Sequence, residues 1–251
     1  MKMSAKSAMY AKHAQLMQAR RQNYFDLPSV EALSLIPKDA QRILEVGCGG
    51  GATLRAFKER CIAEGRACEV VGVDIEAEAV SRAREYLDAA YLIDAEEEEL
   101  TEYPNGYFDL LIMQYVLEHV VNPWAALRHW LQLVRPGGYI IVGVPNIANY
   151  KFLKRLILQD EFTHEPAGIL DWTHLRYFTG HSLTKLLTEA DLKIIKSIGL
   201  PKEEQMRRKI RYLTRIFPSL KRFVYFGYIV LARKEKETSM DYMPFEKTYT
   251  L

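Results

Sequence analysis

Cysteine is scarce in this chain. Cys48, Cys61 and Cys68 are the three in 251 residues, an odd number with no C-x-x-C spacing, which argues against a disulfide framework and against a cysteine-based zinc site. Long apolar runs are missing as well: no window approaches the roughly eighteen consecutive apolar residues of a spanning helix. The first twenty-five residues are interspersed with Lys, Arg and Gln in place of an apolar signal core. Charge imbalance is also absent, since a formal net charge of +2 is too small to argue for nucleic acid without local clustering. These absences lead us to expect a soluble protein of the reducing cytoplasm. What is present, 49% hydrophobic and 26% charged residues, is enough for one large α/β domain or a domain with an inserted cap.

Along the chain, Met9, Tyr10, Leu16, Met17, Tyr24 and Phe25 recur at roughly helical spacing among Lys12, His13, Arg20 and Arg21, which predicts an amphipathic amino-terminal helix. Residues 1–38 are expected to form a helical cover, with Pro28 near the start of a second short helix that Pro37 closes. From Arg42 the pattern alternates short apolar runs with longer helical ones, as in βαβ units around a parallel sheet. Strands are expected near 42–47, 69–74, 90–93, 108–114 and 138–144. Helices are expected over 51–64, 76–88 and 122–133, the last with Asn122 as N-cap and Pro123 in its first turn. Residues 145–178 break this rhythm with an aromatic and His-rich composition and predict a cap or lid. A helix over 180–190 and strands over 192–198 and 224–232 follow, with a strongly basic insertion at 201–222. The main domain is thus expected to run over 39–234, and 235–251 to be a polar tail.

The most informative stretch is Glu45-Val46-Gly47-Cys48-Gly49-Gly50-Gly51-Ala52. Gly47, Gly49 and Ala52 satisfy G-x-G-x-x-A, so the pattern alone admits a dinucleotide turn with Asp74 as ribose acceptor. Glycine is required in any such turn, because a ligand against the backbone leaves no room for a Cβ. Glu45 discriminates. A carboxylate at the end of the strand is poorly matched to a pyrophosphate and well matched to a cationic ligand, and S-adenosylmethionine carries an ammonium, a sulfonium and a ribose diol.

The sequence here resembles the class I S-adenosylmethionine-dependent methyltransferases, in the branch with an E-x-G-x-G-x-G turn. Val71-Gly72-Val73-Asp74-Ile75 is similar to the second-strand ribose motif and Ile93-Asp94-Ala95-Glu96 to the third-strand adenine motif. Phe108-Asp109-Leu110-Leu111 with Val116-Leu117-Glu118-His119-Val120 resembles the fourth-strand motif, and Leu133-Val134-Arg135-Pro136-Gly137-Gly138 the turn before strand five. The resemblance covers about 40–145 firmly. It implies an α/β, Rossmann-like, seven-stranded sheet with the last strand antiparallel, helices on both faces and the inserted cap, with S-adenosylmethionine over the carboxyl ends of the first strands and S-adenosylhomocysteine as product. Carried over residue by residue, it implies that Glu45, Gly47, Cys48, Gly49 and Gly51 line the methionine moiety. Asp74 and Ile75 would line ribose and adenine, Asp94 and Ala95 the adenine edge, and Gln114 and Tyr115 the methionine side.

Methyl transfer is an in-line displacement at an activated carbon, so the protein supplies alignment and, for a hydroxyl acceptor, a base. His174 and His119 are the candidates, with Asp171 as a partner that orients His174. Asp171-Trp172-Thr173-His174-Leu175-Arg176-Tyr177-Phe178 places a base, a cation and apolar walls in one loop, and its H-L-R-x-F-T stretch resembles that of methyltransferases found in sugar, glycan and natural-product assembly. His164, Trp172, Arg176 and Tyr177 are therefore expected at a small-molecule or glycan-linked acceptor. The carboxylates and histidines show no metal-ligand spacing, so no metal is expected, and Glu96 to Glu99 read as a solvated face. The basic stretch reads as an amphipathic helix whose aromatics are committed to a buried face, with 206–223 a candidate for peripheral membrane contact; committed aromatics argue against splayed bases and hence against RNA. O-methylation with a histidine base is the expected reaction; an N-methyltransferase, an RNA or protein methyltransferase, a dinucleotide-dependent oxidoreductase and a non-catalytic binding module are the rival readings.

Overall fold

The computed structural model describes residues 27–201 and 206–236. The expected amino-terminal helix over 1–25 and most of the expected polar tail lie outside the described residues.

Seven strands form one sheet: β1 (Arg42–Val46), β2 (Glu69–Asp74), β3 (Ala89–Leu92), β4 (Phe108–Gln114), β5 (Val134–Pro145), β6 (Leu192–Leu200) and β7 (Gly227–Lys234). Their order is β3-β2-β1-β4-β5-β7-β6. β1 to β5 pair in parallel, whereas β7 pairs antiparallel with both β5 and β6. The expected sheet with an antiparallel last strand is therefore present. The order reverses between β1 and β4, and in open α/β sheets ligands collect in the crevice at that reversal.

The period of two along each strand divides the apolar side chains between two layers. Leu44, Val46, Val71, Val73, Leu111 and Met113 face one side, where Leu127, Trp130 and Leu131 of α4 (Pro123–Leu131) and Leu183, Leu186 and Leu187 of α6 (Gly180–Glu189) cover them. Ile43, Val70, Leu110, Ile112 and Ile141 face the other. There α1 (Val30–Leu35) contributes Ala32 and Leu35, α2 (Ala52–Ala63) Leu54, Phe57 and Cys61, and α3 (Ala77–Ala83) Val80 and Ala83. β1 and β4 are buried on both sides, which explains their near-continuous apolar runs.

Several boundaries differ from expectation for identifiable reasons. β5 begins at Val134, not 138, because the Arg135-Pro136-Gly137-Gly138 segment is absorbed as an irregularity: Phe108 pairs with Val134, whereas Leu110 already pairs with Tyr139. Gly137 supplies the left-handed backbone this requires, at φ +78°. α3 stops at Ala83, short of the expected 88, and β7 begins at Gly227 because Lys221–Val224 form a short helix, α8. The cap segment is not purely irregular, since α5 (Tyr150–Gln159) opens it.

The basic stretch forms α7 (Arg208–Ile216), but the expectation of buried aromatics fails. Tyr212 is 67% exposed and Phe217 54%, with Leu213 and Ile216 also exposed, while Thr214 is the buried residue. The helix turns a short polar side chain inward, while Tyr212, Leu213 and Ile216 remain at the surface and Ile210 is half-buried. Among the described residues, no helix is long and apolar enough to cross a membrane.

Asp109 ties the sheet together below the cavity. Its Oδ2 accepts from the amides of Gln41 and Arg42, and its Oδ1 from Arg135 Nε at 2.8 Å and Arg42 at 3.4 Å. Burial opposes its charge, yet the Arg135 hydrogen bond and the two amides prevail and hold its carboxyl below the ordinary value. Asp109→Ala should cost about 2–4 kcal/mol of stability. Urea midpoints of wild type and variant should converge as pH falls below the ordinary Asp value near 3.8, because a group with a depressed folded pKa stabilises above that value and loses its effect as the folded carboxyl protonates.

Candidate functional site

A cavity of about 490 Å³ opens at the carboxyl ends of β1, β2 and β4, within the range of small-ligand sites. The turn after β1 makes its floor. Gly47, Gly49 and Gly51 adopt φ of +72°, +53° and +79°. The amides of Gly47 and Cys48 both donate to Val73 O, at 2.8 and 3.0 Å, which folds the turn over β2. A Cβ on Gly47 would stand 2.5 Å from Val116 Cγ2, so this glycine is fixed by sterics as well as by backbone conformation.

Of the residues expected at the cofactor, Glu45, Gly47, Cys48, Gly49, Asp74, Ile75, Asp94, Ala95, Gln114 and Tyr115 line this cavity, and so does His119. Gly51 does not; it starts α2 with its α-carbon packed toward Leu87. Leu27, Ser29 and Glu31 close one side, Ser29 donating to Gln114 Oε1 at 2.9 Å and its amide to Thr53 Oγ1 at 3.1 Å. The start of α1 is thereby joined to both β4 and α2.

The charges in the cavity are acidic and poorly compensated. Glu45 is 4% exposed, its Oε2 has no hydrogen-bond partner, and burial, aided by the neighbouring Asp74, raises its pKa from 4.5 to about 8. Asp74 accepts from Gly49 N at 2.8 Å and Glu76 N at 2.9 Å; burial still raises its pKa, against the pull of these amides. Glu76 also lines the cavity with a buried Oε2 lacking a partner, and the motif reading passed over it although it stands two residues after Asp74. Tyr115 leaves β4 at φ +57°, an uncommon conformation for a bulky residue. Burial, then Glu118 and Glu31, raise its hydroxyl to about 12.

The acceptor-side expectations are rearranged. His174 is buried and its Nδ1 lies 2.9 Å from Ile169 O. Asp171, expected to orient His174, accepts at Oδ1 from the Thr173 amide and hydroxyl, at 2.8 and 2.6 Å. That hydroxyl is 3.0 Å from His119 Nδ1, so the carboxylate reaches the other histidine through Thr173. The rings of His119 and His174 meet edge to face at 4.8 Å. Glu118, quoted in the fourth-strand motif but given no role, stands beside them 1% exposed, and neither of its carboxylate oxygens has a hydrogen-bond partner. His164, Trp172, Arg176 and Tyr177 fall outside the cavity lining. His164 Nε2 bonds the Tyr177 hydroxyl at 2.8 Å, and Arg176 is spent on the carbonyls of Leu175 and Val121. Glu96, expected on a solvated face, accepts from the amides of Val121 and Asn122 ahead of α4.

A methyltransferase-domain family matches residues 17–197, well over half of the chain. The chain belongs to the methyltransferase-domain family. A relative of this chain, the ubiquinone biosynthesis O-methyltransferase of Alkalilimnicola ehrlichii, is 33% identical over 169 residues, which span 64% of this chain and 64% of that protein. Among solved structures, a SAM-dependent methyltransferase from Archaeoglobus fulgidus matches 92% of this chain and 100% of its own, with a TM-score of 0.55 at 20% identity. The plantazolicin methyltransferase in complex with SAH covers 90% of each chain, with a TM-score of 0.58 at 15% identity. The structural likenesses speak to the fold. Together with the family match they bear out the resemblance to class I methyltransferases.

Two buried carboxyls with pKa values near 8, Glu45 and Glu118, make the stability of the free methyltransferase pH-dependent. Each holds its proton in the folded state up to about 8 and loses it near 4.5 when unfolded, so the folded state binds more protons between these values and stability falls as pH rises through that window. Urea midpoints of the free protein should decline from pH 5 to 8.5. Glu45→Gln should flatten the decline, and an unchanged slope would show that Glu45 ionises freely.

Proposed function

We propose that this methyltransferase moves a methyl group from S-adenosylmethionine to a hydroxyl of a small-molecule acceptor. The observation that carries the reading is Glu45, a buried carboxyl at the end of β1 with an unsatisfied oxygen and a raised pKa. Such a group is costly alone and becomes favourable beside a cation. The α-ammonium of the donor meets that need, whereas a pyrophosphate offers the carboxyl no countercharge.

The remaining lining fits the same molecule. Asp74 and Glu76 offer acceptor oxygens for a ribose diol, with Ile75 beside them. Asp94 and Ala95 stand at the adenine end, and Gln114 and Tyr115 near the methionine side. Gly47, Cys48 and Gly49 bring backbone close to the ligand, while Gly51 shapes the turn. When bound, the donor supplies a sulfonium-activated methyl, whose C–S bond breaks as the O–C bond forms, leaving neutral S-adenosylhomocysteine. The protein's share is alignment and removal of the hydroxyl proton.

His119, which lines the cavity, takes that proton in this reading. The Thr173 hydroxyl spends its hydrogen on Asp171, so its contact with His119 Nδ1 requires the proton on Nδ1. The lone pair then resides on Nε2, the base. Oxygen as the acceptor atom and a small molecule as the acceptor are both supported by the names of the relatives, ubiquinone biosynthesis O-methyltransferases.

Calorimetry with S-adenosylhomocysteine tests the donor. At pH 7 binding should release up to about one proton, as a raised carboxyl ionises against an ammonium, and Glu45→Gln should abolish the release. Asp74→Ala should weaken binding by about 1–3 kcal/mol. A melting shift with NADH and none with S-adenosylhomocysteine would overturn the reading. For the acceptor half, His119→Ala should lower turnover by about 10²- to 10⁴-fold with donor affinity retained; undiminished turnover would exclude His119 as the base.

A further inference from the structure

Glu118, His119 and His174 offer one ligand atom each, and these atoms lie within 4.8 Å of one another. The spacing is invisible in sequence, because fifty-five positions separate the second residue from the third; the loop over 171–178 folds back and its Leu175 and Arg176 amides donate to Glu118 O, at 2.7 and 3.0 Å. We propose that these three side chains form a binding site for a divalent first-row transition ion in the wall of the donor cavity. The expectation that the chain takes no metal is revised accordingly.

Three independent features support it. Neither oxygen of Glu118 has a hydrogen-bond partner although the residue is 1% exposed, and an unpaired buried carboxylate is among the more costly groups a fold can hold. Both imidazoles have Nδ1 engaged by an oxygen, which leaves Nε2 as the nitrogen for an ion. His119 Nδ1 is 3.2 Å from Thr173 O and 3.0 Å from its hydroxyl, and His174 Nδ1 is 2.9 Å from Ile169 O. Such outer contacts fix the tautomer and raise the basicity of Nε2. Finally, the donor set itself selects the ion. Two imidazoles and one carboxylate favour Zn²⁺, Co²⁺ or Fe²⁺ over Mg²⁺ or Ca²⁺, and three protein ligands leave a position open.

The ligand atoms, all within 4.8 Å of one another, must close to about 3–3.5 Å to share an ion at bond lengths near 2.1 Å. His119 lines the cavity, so the open position is available to an acceptor hydroxyl. The functional role of the ion rests on the proposed O-methylation, whereas its binding does not. A coordinated hydroxyl loses its proton near neutral pH. The proton leaves to solvent, and His119 then acts as ligand in place of base.

The test titrates the full chain, stripped with a chelator and without methyl donor, with Co²⁺ followed by its visible absorption and with Zn²⁺ followed by calorimetry. One ion per chain is expected, with Mg²⁺ giving no comparable heat. Loss of an outer-shell partner typically weakens a site 10- to 100-fold, so Glu118→Gln and His174→Gln should each weaken binding by at least about tenfold. His181→Ala, an exposed histidine on α6, should leave binding unchanged. Absence of saturable Co²⁺ and Zn²⁺ binding overturns the proposal, as does equal affinity in either ligand variant. A melting shift with S-adenosylhomocysteine, recorded in parallel, confirms that the variants are folded. It also separates the two readings: no ion with a retained shift removes the metal and leaves the methyl donor, whereas ion binding without a shift does the reverse.

Discussion

Carboxyl groups without a full set of partners at the open end of a hydrophobic sheet are the constraint on which this structure turns. Glu45 ends β1 and Glu118 follows β4, both almost wholly buried, and each keeps its proton to about pH 8. A fold that only maximised stability would place apolar side chains there. The cost is bearable because the remainder of the sheet is conventional: β1 and β4 are sandwiched between two apolar layers, and Asp109, at the opposite end of β4 from the cavity, has its charge met by two amides and an arginine. One end of the sheet is electrostatically satisfied and the other is left in need of cations.

The sequence made the sheet and the donor cavity legible because both follow from local rules. Strand periodicity, the glycine turn and the order of the short motifs each depend on neighbours a few residues apart, and ten of the residues so assigned line one cavity. Gly51 stands outside that lining, and the sequence could not separate it, because a glycine that shapes a turn and one that faces a ligand obey the same backbone requirement. Glu76 and Glu118 escaped notice for the reverse reason: nothing in the residue type tells a capping glutamate from one with a buried oxygen unsatisfied.

The acceptor side was less legible because it is built from contacts across long chain separations. The loop over 171–178 reads correctly as a unit, but its side chains are sorted by where the loop lands. Landing on the backbone of Glu118 and Val121 spends Arg176 on carbonyls and delivers Thr173 to His119. The basic helix shows the same limit in another form. Alternation of basic and apolar residues gave α7, but not which way it faces, since Thr214 and not an aromatic residue turns inward.

The Thr173 hydroxyl has a consequence larger than its size. It stands between Asp171 and His119, donating to one and accepting from the other, so a single rotatable O–H bond records whether the loop is seated. Displacing the loop by about 1 Å takes such a contact beyond hydrogen-bond range and releases the imidazole to exchange its tautomer. Loop position and the tautomer of His119 are thereby linked through one hydroxyl.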